Sequence, residues 1–123
     1  MKYLIYLLVL IVTPLSAQKT IDLTKISEKH AIQSFKEFYE LLSIPNDAHY
    51  PLDIEKNIQW CENAFAKRKF TTLRLTTPTV PLLLAERKVK NVKWTVLIYL
   101  QFDGQPVNVS QWDQESPWKP TLK

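Results

Sequence analysis

Asn91 to Trp112, reading NVKWTVLIYLQFDGQPVNVSQW, is the stretch on which the fold assignment turns. Val92, Trp94, Val96, Ile98, Leu100 and Phe102 recur at a period of two, and Lys93, Thr95, Leu97, Tyr99 and Gln101 alternate with them. Such alternation predicts a long half-buried strand over 92–102. Asp103-Gly104 then suits a two-residue turn with positive φ at both positions. Gly104 is the only glycine in the chain. Val107 and Val109 restart the alternation, so a return strand over 105–112 is expected.

Working backwards, Lys90-Asn91 is a candidate turn, because asparagine tolerates positive φ. Val80 to Val89 reads as a strand that passes from an apolar Leu82-Leu83-Leu84 into Glu86-Arg87-Lys88. Phe70 to Thr77 reads as another, with Thr71, Leu73, Leu75 and Thr77 on one face. Pro78 and Pro81 interrupt pairing between the two. Strands over 70–77, 80–89, 92–102 and 105–112 would make an antiparallel meander.

Two helices precede these strands. In the first, Ala31, Phe35, Phe38 and Leu42 repeat at helical spacing, Ser27 is the candidate N-cap and Pro45 ends the run. Pro45 to Tyr50 connects to the second, which Pro51 opens with Asp53 near its positive end. Ile54, Ile58, Cys61 and Phe65 form its apolar stripe, with Trp60 beside them, and Lys67, Arg68 and Lys69 close it. The expected fold is therefore α+β, with two N-terminal helices packed on a twisted antiparallel sheet of about four strands. Trp60 and Trp94 would lie in the core.

This element order, across about residues 27–112, resembles the cystatin-like group of folds, which includes the nuclear-transport-factor-2-like proteins. The resemblance implies a cone-shaped pocket that in some members holds acidic and histidine catalytic residues and in many members only binds. No catalytic residue of that family is matched by motif, so none is carried over.

The first seventeen residues have the three parts of a secretory signal. Lys2 is the positive end, Tyr3 to Val12 an apolar run, and Ala17 a small residue before the cut. Ten apolar residues fall short of the roughly 20 that span a bilayer. Removing 17 residues from 123 leaves a single exported domain over 18–123, periplasmic or secreted, with no transmembrane anchor. Cys61 is the sole cysteine, so no internal disulfide is expected.

Charge is polarised along the chain. Residues 67–93 hold eight basic residues against Glu86 alone, while the rest of the exported portion holds seven basic and eleven acidic residues. The balance in that stretch suits an anionic protein or envelope component, and export makes nucleic acid the least favoured partner. Arg87, Lys88, Lys90 and Lys93 are the candidate binding residues. Trp112 and Trp118, in the less regular C-terminal part, are the candidate aromatic contacts. The competing reading makes the basic run a solvated face that resists edge-to-edge pairing.

Catalytic signatures are missing from the sequence: no GxSxG, HExxH, P-loop or Rossmann glycine pattern occurs. Cys61 lies on an apolar stripe, where a buried small hydrophobe is expected. His30 and His49 lack recurring metal-ligand spacing, although Asp47-Ala-His49 places two possible ligands on one loop. Neither a metal nor a cofactor is expected. Asn108-Val-Ser110 fits the glycosylation pattern, in a place read as strand. The function expected is binding rather than covalent chemistry. The alternatives are a pocket enzyme of isomerase or dehydratase type, using His49 with Asp53 or Asp103, and an immunity protein that blocks a periplasm-acting toxin.

Overall fold

The computed structural model describes residues 22–122. The signal expected over 1–17 lies outside them. The described residues divide into two units between Ser34 and Phe35, so the break falls within the first helix.

Helix α1 runs Leu23–Leu42 and α2 runs Pro51–Lys67; strands β1 (Thr71–Leu75) and β2 (Leu82–Glu86) follow, and then a 3₁₀ turn over Val109–Gln111. Two helices before an antiparallel sheet make an α+β arrangement. Among the described residues the sheet has two strands, not about four.

Helix α1 begins four residues before Ser27. Its cap is Asp22, whose Oδ1 accepts the Lys25 N–H at 3.1 Å, satisfying a donor of the first turn. Ser27 instead turns its hydroxyl back to the Thr24 carbonyl at 2.9 Å. No α1 residue is buried, and Phe35, Phe38 and Leu42 remain about half exposed. The amphipathic stripe is present, but it does not line a core.

Burial is instead centred on α2. Pro51 occupies its first turn, with Asp53 nearby and Lys67 in the last turn. Ile54 and Ile58 are 3% and 1% exposed. Asn57, on the same side of the helix, is also buried, and its amide donates to the Pro45 carbonyl at 2.6 Å and the Asp53 carbonyl at 2.9 Å. This polar core residue fastens the connector before α2 to the helix itself. Its hydrogen bonds offset the cost of taking the amide out of water.

The end of α2 is a Schellman motif. Phe70 N–H reaches the Phe65 carbonyl at 3.1 Å and Lys69 N–H reaches the Ala66 carbonyl at 2.9 Å. Lys69 takes the left-handed conformation this requires, with φ 63°. The Phe65 and Phe70 rings meet across the turn, their centroids 5.4 Å apart.

β1 and β2 pair antiparallel with Leu73 opposite Leu84 and Leu75 opposite Leu82. Both prolines stay in the connection, and Thr77 Oγ1 donates to the Val80 carbonyl at 2.7 Å to stabilise it. Helix α2 packs on both strands. The half-buried residues are Thr72, Leu83 and Ala85, whereas Leu73, Leu75, Leu82 and Leu84 are exposed. Thr71, Leu73 and Leu75 do share a face, and it is the outer one.

The strands expected over 92–102 and 105–112 are absent from the described residues. Asn91 does adopt positive φ, at 57°, but it leads into irregular chain. Gly104 is not in the left-handed region, so Asp103-Gly104 forms no primed turn. The cause is Asn46. Its carbonyl accepts the Gly104 N–H at 2.8 Å, its side-chain amide donates to the Phe102 carbonyl at 2.8 Å, and Asp47 and Gly104 form an isolated parallel bridge. The Phe102 carbonyl, which would close a turn onto Gln105, is engaged by the connector between the helices. Beyond it, Asn108 caps the 3₁₀ turn by accepting the Ser110 N–H at 3.1 Å. Trp94 and Ile98, expected to point inward, are 85% and 72% exposed.

Candidate interaction surface

Much of the positive charge concentrated over 67–93 is cancelled in space by carboxylates from elsewhere in the chain. Arg74 on β1 reaches α2 with its whole guanidinium. Its Nη1 lies 2.8 and 2.9 Å from the two Glu55 oxygens, and its Nε and Nη2 lie 2.7 and 2.6 Å from those of Glu62. The bidentate pair with Glu62, together with Nη1 shared between the Glu55 oxygens, holds the planar fork in one orientation. These contacts pull the Glu62 carboxyl below the usual carboxylate range and raise Arg74. At the end of α2, Arg68 and Lys67 both meet Glu37 of α1, Lys67 at 3.3 Å. Arg68 is the larger cause of a lowered Glu37 pKa, with partial burial opposing it and Lys67 assisting.

Positive charge therefore survives mainly after β2. Lys88 lies 3.4 Å from Glu86 with both side chains well exposed, a geometry worth little in water. Arg87, Lys90 and Lys93 are exposed and have no ion-pair partner among the described residues. Four of the sequence-predicted binding residues thus stand within one seven-residue stretch.

The apolar segment follows directly. Leu97 and Tyr99 are 86% and 80% exposed, and Val92, Val96 and Leu100 are exposed as well. Among the described residues, no backbone hydrogen bond involves residues 92–101. A run of large apolar side chains is costly to leave in water, which is why such patches mark contact sites.

The two C-terminal tryptophans are placed differently. Trp112 follows the 3₁₀ turn and is partly exposed, whereas Trp118 is half-buried beside the buried Pro117. Trp118 N–H lies 3.2 Å from Ser116 Oγ, and Lys119 pairs with Glu115. No hydrogen bond or ion pair joins either tryptophan to the basic run among the described residues.

One carboxylate–imidazole pair is present. Asp47 Oδ1 accepts the His49 backbone N–H at 2.9 Å and lies 2.8 Å from His49 Nδ1. An acceptor-only carboxylate at that distance places the ring proton on Nδ1. The His49 backbone N–H holds the Asp47 carboxyl below its usual range, with partial burial opposing and the imidazole assisting. Sequence reasoning looked to Asp53 and Asp103 for this partner. Asp53 is instead paired with Lys56 at 2.8 Å.

Neither member of that pair lines either of two cavities beside α2. A shallow cavity of about 200 Å³ beside α2 is bounded by Ala48, Ile54, Ile58 and Val80. A second, of about 460 Å³, is bounded by Glu40, Trp60, Asn63 and Lys67. Trp60 is half-buried there. Cys61 is half-buried, and burial, reinforced by the Glu62 charge, pushes its thiol up, the opposite of what a nucleophile needs. No group of three metal-ligating side chains converges among the described residues, and none of the described helices is long and apolar enough to cross a membrane.

No protein-family model matches this chain, and no curated protein or solved structure matches it either.

Proposed function

We propose that this chain is an exported binding protein that docks onto another polypeptide through residues 87–103. The observation that carries the reading is the solvent-exposed, backbone-unpaired run from Val92 to Leu100. A segment with strand periodicity and free peptide groups is suited to adding itself to a partner's sheet edge, where main-chain hydrogen bonds give affinity and alternate side chains give selectivity. Arg87, Lys88, Lys90 and Lys93 precede it and would orient an anionic partner surface. Trp112 and Trp118 are secondary contacts in this reading. Export rests on the leader over 1–17, and a periplasmic or secreted location follows from it.

A pocket enzyme of the nuclear-transport-factor-2-like kind is the second reading. The Asp47–His49 hydrogen bond favours it. It ranks lower because neither residue lines either of the two cavities beside α2.

The test is partner capture by the wild type, by a fourfold charge reversal at Arg87, Lys88, Lys90 and Lys93, and by His49→Ala, each at low and high salt. The binding reading expects the reversal to weaken capture several-fold, with salt weakening the wild type and His49→Ala leaving capture unchanged. Capture unaffected by charge reversal or salt would remove the basic run from the binding surface.

A further inference from the structure

We infer that the polypeptide received by this segment is a second copy of the same chain, paired antiparallel about a two-fold axis at Ile98. The inference rests on the binding role proposed above and names its partner.

The sequence between Lys93 and Asp103 is complementary to its own reverse. Centring an antiparallel pair on Ile98 sets Lys93 opposite Asp103, Trp94 opposite Phe102, Thr95 opposite Gln101, Val96 opposite Leu100 and Leu97 opposite Tyr99. Opposite residues in such a pair share a face. One face is then wholly apolar, and the other carries the polar pairs and Leu97–Tyr99. Each end carries one Lys–Asp pair, and aromatic or β-branched side chains oppose apolar ones. Shifting the centre by one residue, to Leu97, moves Lys93 opposite Gln101 and Asp103 opposite Asn91, and both ion pairs are lost. Parallel in-register pairing sets Lys93 against Lys93 and Asp103 against Asp103, which is repulsive. Charge therefore selects both direction and register.

The backbone agrees on the edge. In extended chain, peptide groups of alternate residues point to opposite sides. Asn46 takes the Phe102 carbonyl and the Gly104 N–H, so the side used by even-numbered residues is engaged at that end. With the segment extended, the odd-numbered side, carrying the peptide groups of Thr95, Leu97, Tyr99, Gln101 and Asp103, is the one available to a partner strand. Ile98 then faces Ile98 of the second copy as a non-hydrogen-bonded pair, whose Cα atoms approach to about 4.5 Å.

Cysteine cross-linking in the full chain carrying Cys61→Ala tests the register. Ile98→Cys places two thiols directly opposite, within the Cα separation of roughly 4.4–6.8 Å that a disulfide spans. Leu100→Cys alone leaves its thiols four residues out of register. Val96→Cys mixed with Leu100→Cys brings them back together. We expect at least ten-fold more covalent dimer from Ile98→Cys than from Leu100→Cys, and recovery in the mixture. Sedimentation equilibrium supplies the second arm: Lys93→Asp should weaken dimerisation about ten-fold or more, and Lys93→Asp with Asp103→Lys should restore it. Equal cross-linking at all positions, better cross-linking from Leu97→Cys than from Ile98→Cys, or a monomer at every concentration would overturn the inference. If the chain is a monomer while charge reversal still abolishes capture of a host protein, the second copy is ruled out as partner and the binding role stands.

Discussion

Gly104 and Asn46 are held against each other at a separation only a glycine permits. The Gly104 N–H donates to the Asn46 carbonyl at 2.8 Å, and a Cβ on Gly104 would stand 2.5 Å from Asn46 Oδ1 and 3.0 Å from its Cγ. The Asn46 side chain cannot swing away freely, because its amide is bonded to the Phe102 carbonyl at 2.8 Å. The single glycine of the chain is thus required by close approach, not by a turn.

Gly104→Ala should expel the Asn46 amide and cost about 1 kcal/mol, the typical net worth of one hydrogen bond. In an Asn46→Ala background the obstacle is gone, and since Gly104 is not left-handed, alanine there should be neutral or stabilising by up to about 1 kcal/mol through the unfolded state. Urea unfolding of the four proteins in this cycle checks the change of sign. An equal cost in both backgrounds would disprove the coupling.

Lys69 closes α2 at φ 63° with a side chain that resists that conformation. Lys69→Gly should remove roughly 1–2 kcal/mol of strain and return about 0.4–1 kcal/mol through greater unfolded-state freedom. The net gain is on the order of 0.5 kcal/mol by those two principles, visible as a higher melting temperature. A lower one would mean that the lysine side chain contributes more than its backbone costs.

Three carboxyls, Glu37, Asp47 and Glu62, have depressed pKa values. A depressed folded-state value means stability that is present above the ordinary carboxylate pKa of about 4 and is lost as pH falls through the lower folded-state values. Thermal melts from pH 7 down to 2 should fall most steeply below about pH 4. Arg74→Gln should flatten that fall, because Arg74 is the first cause of the Glu62 shift. An unchanged profile in the variant would assign the acid sensitivity to the other two sites.

Mass spectrometry of the protein from its native host should find a chain beginning at Gln18. Detection of intact Met1 in a membrane fraction would contradict export by a cleaved leader.

Helix α2 was legible in its start and in its Ile54–Ile58 stripe, because Pro51, Asp53 and that stripe act within the helix itself, whereas the buried Asn57, which bonds outward to the Pro45 carbonyl, was not. The β1–β2 hairpin was legible for the same reason: two prolines confine its connection to one short stretch. The alternation over 92–102 was read as a half-buried strand, and the described residues hold no strand there, because periodicity states only that a chain can pair, not with what. The missing information was the long-range grip of Asn46 on Phe102 and Gly104, fifty-six residues away in its side-chain bond, which leaves no local signature. The Asp47–His49 pair was the reverse case. Two residues apart in sequence, it was noted as a possible metal pair, while the hydrogen-bonded partner was sought at more distant carboxylates.

Ile98→Asp separates the two accounts of the 92–102 segment. Were Ile98 a core residue, the substitution would bury an unpaired charge and cost several kcal/mol, enough to unfold a domain this small. Ile98 is instead 72% exposed, and a surface substitution changes stability by no more than about 0.5 kcal/mol. At concentrations where the wild type is monomeric, both proteins should therefore unfold at nearly the same urea midpoint. At higher concentration the wild type should gain thermal stability through association, since a partner that binds only the folded state raises the melting temperature by mass action. The variant should not, because the two aspartates would face each other at about 4.5 Å across the two-fold. A variant that is unfolded even when dilute would place Ile98 in a core after all, and one that gains stability with concentration as the wild type does would remove Ile98 from the contact.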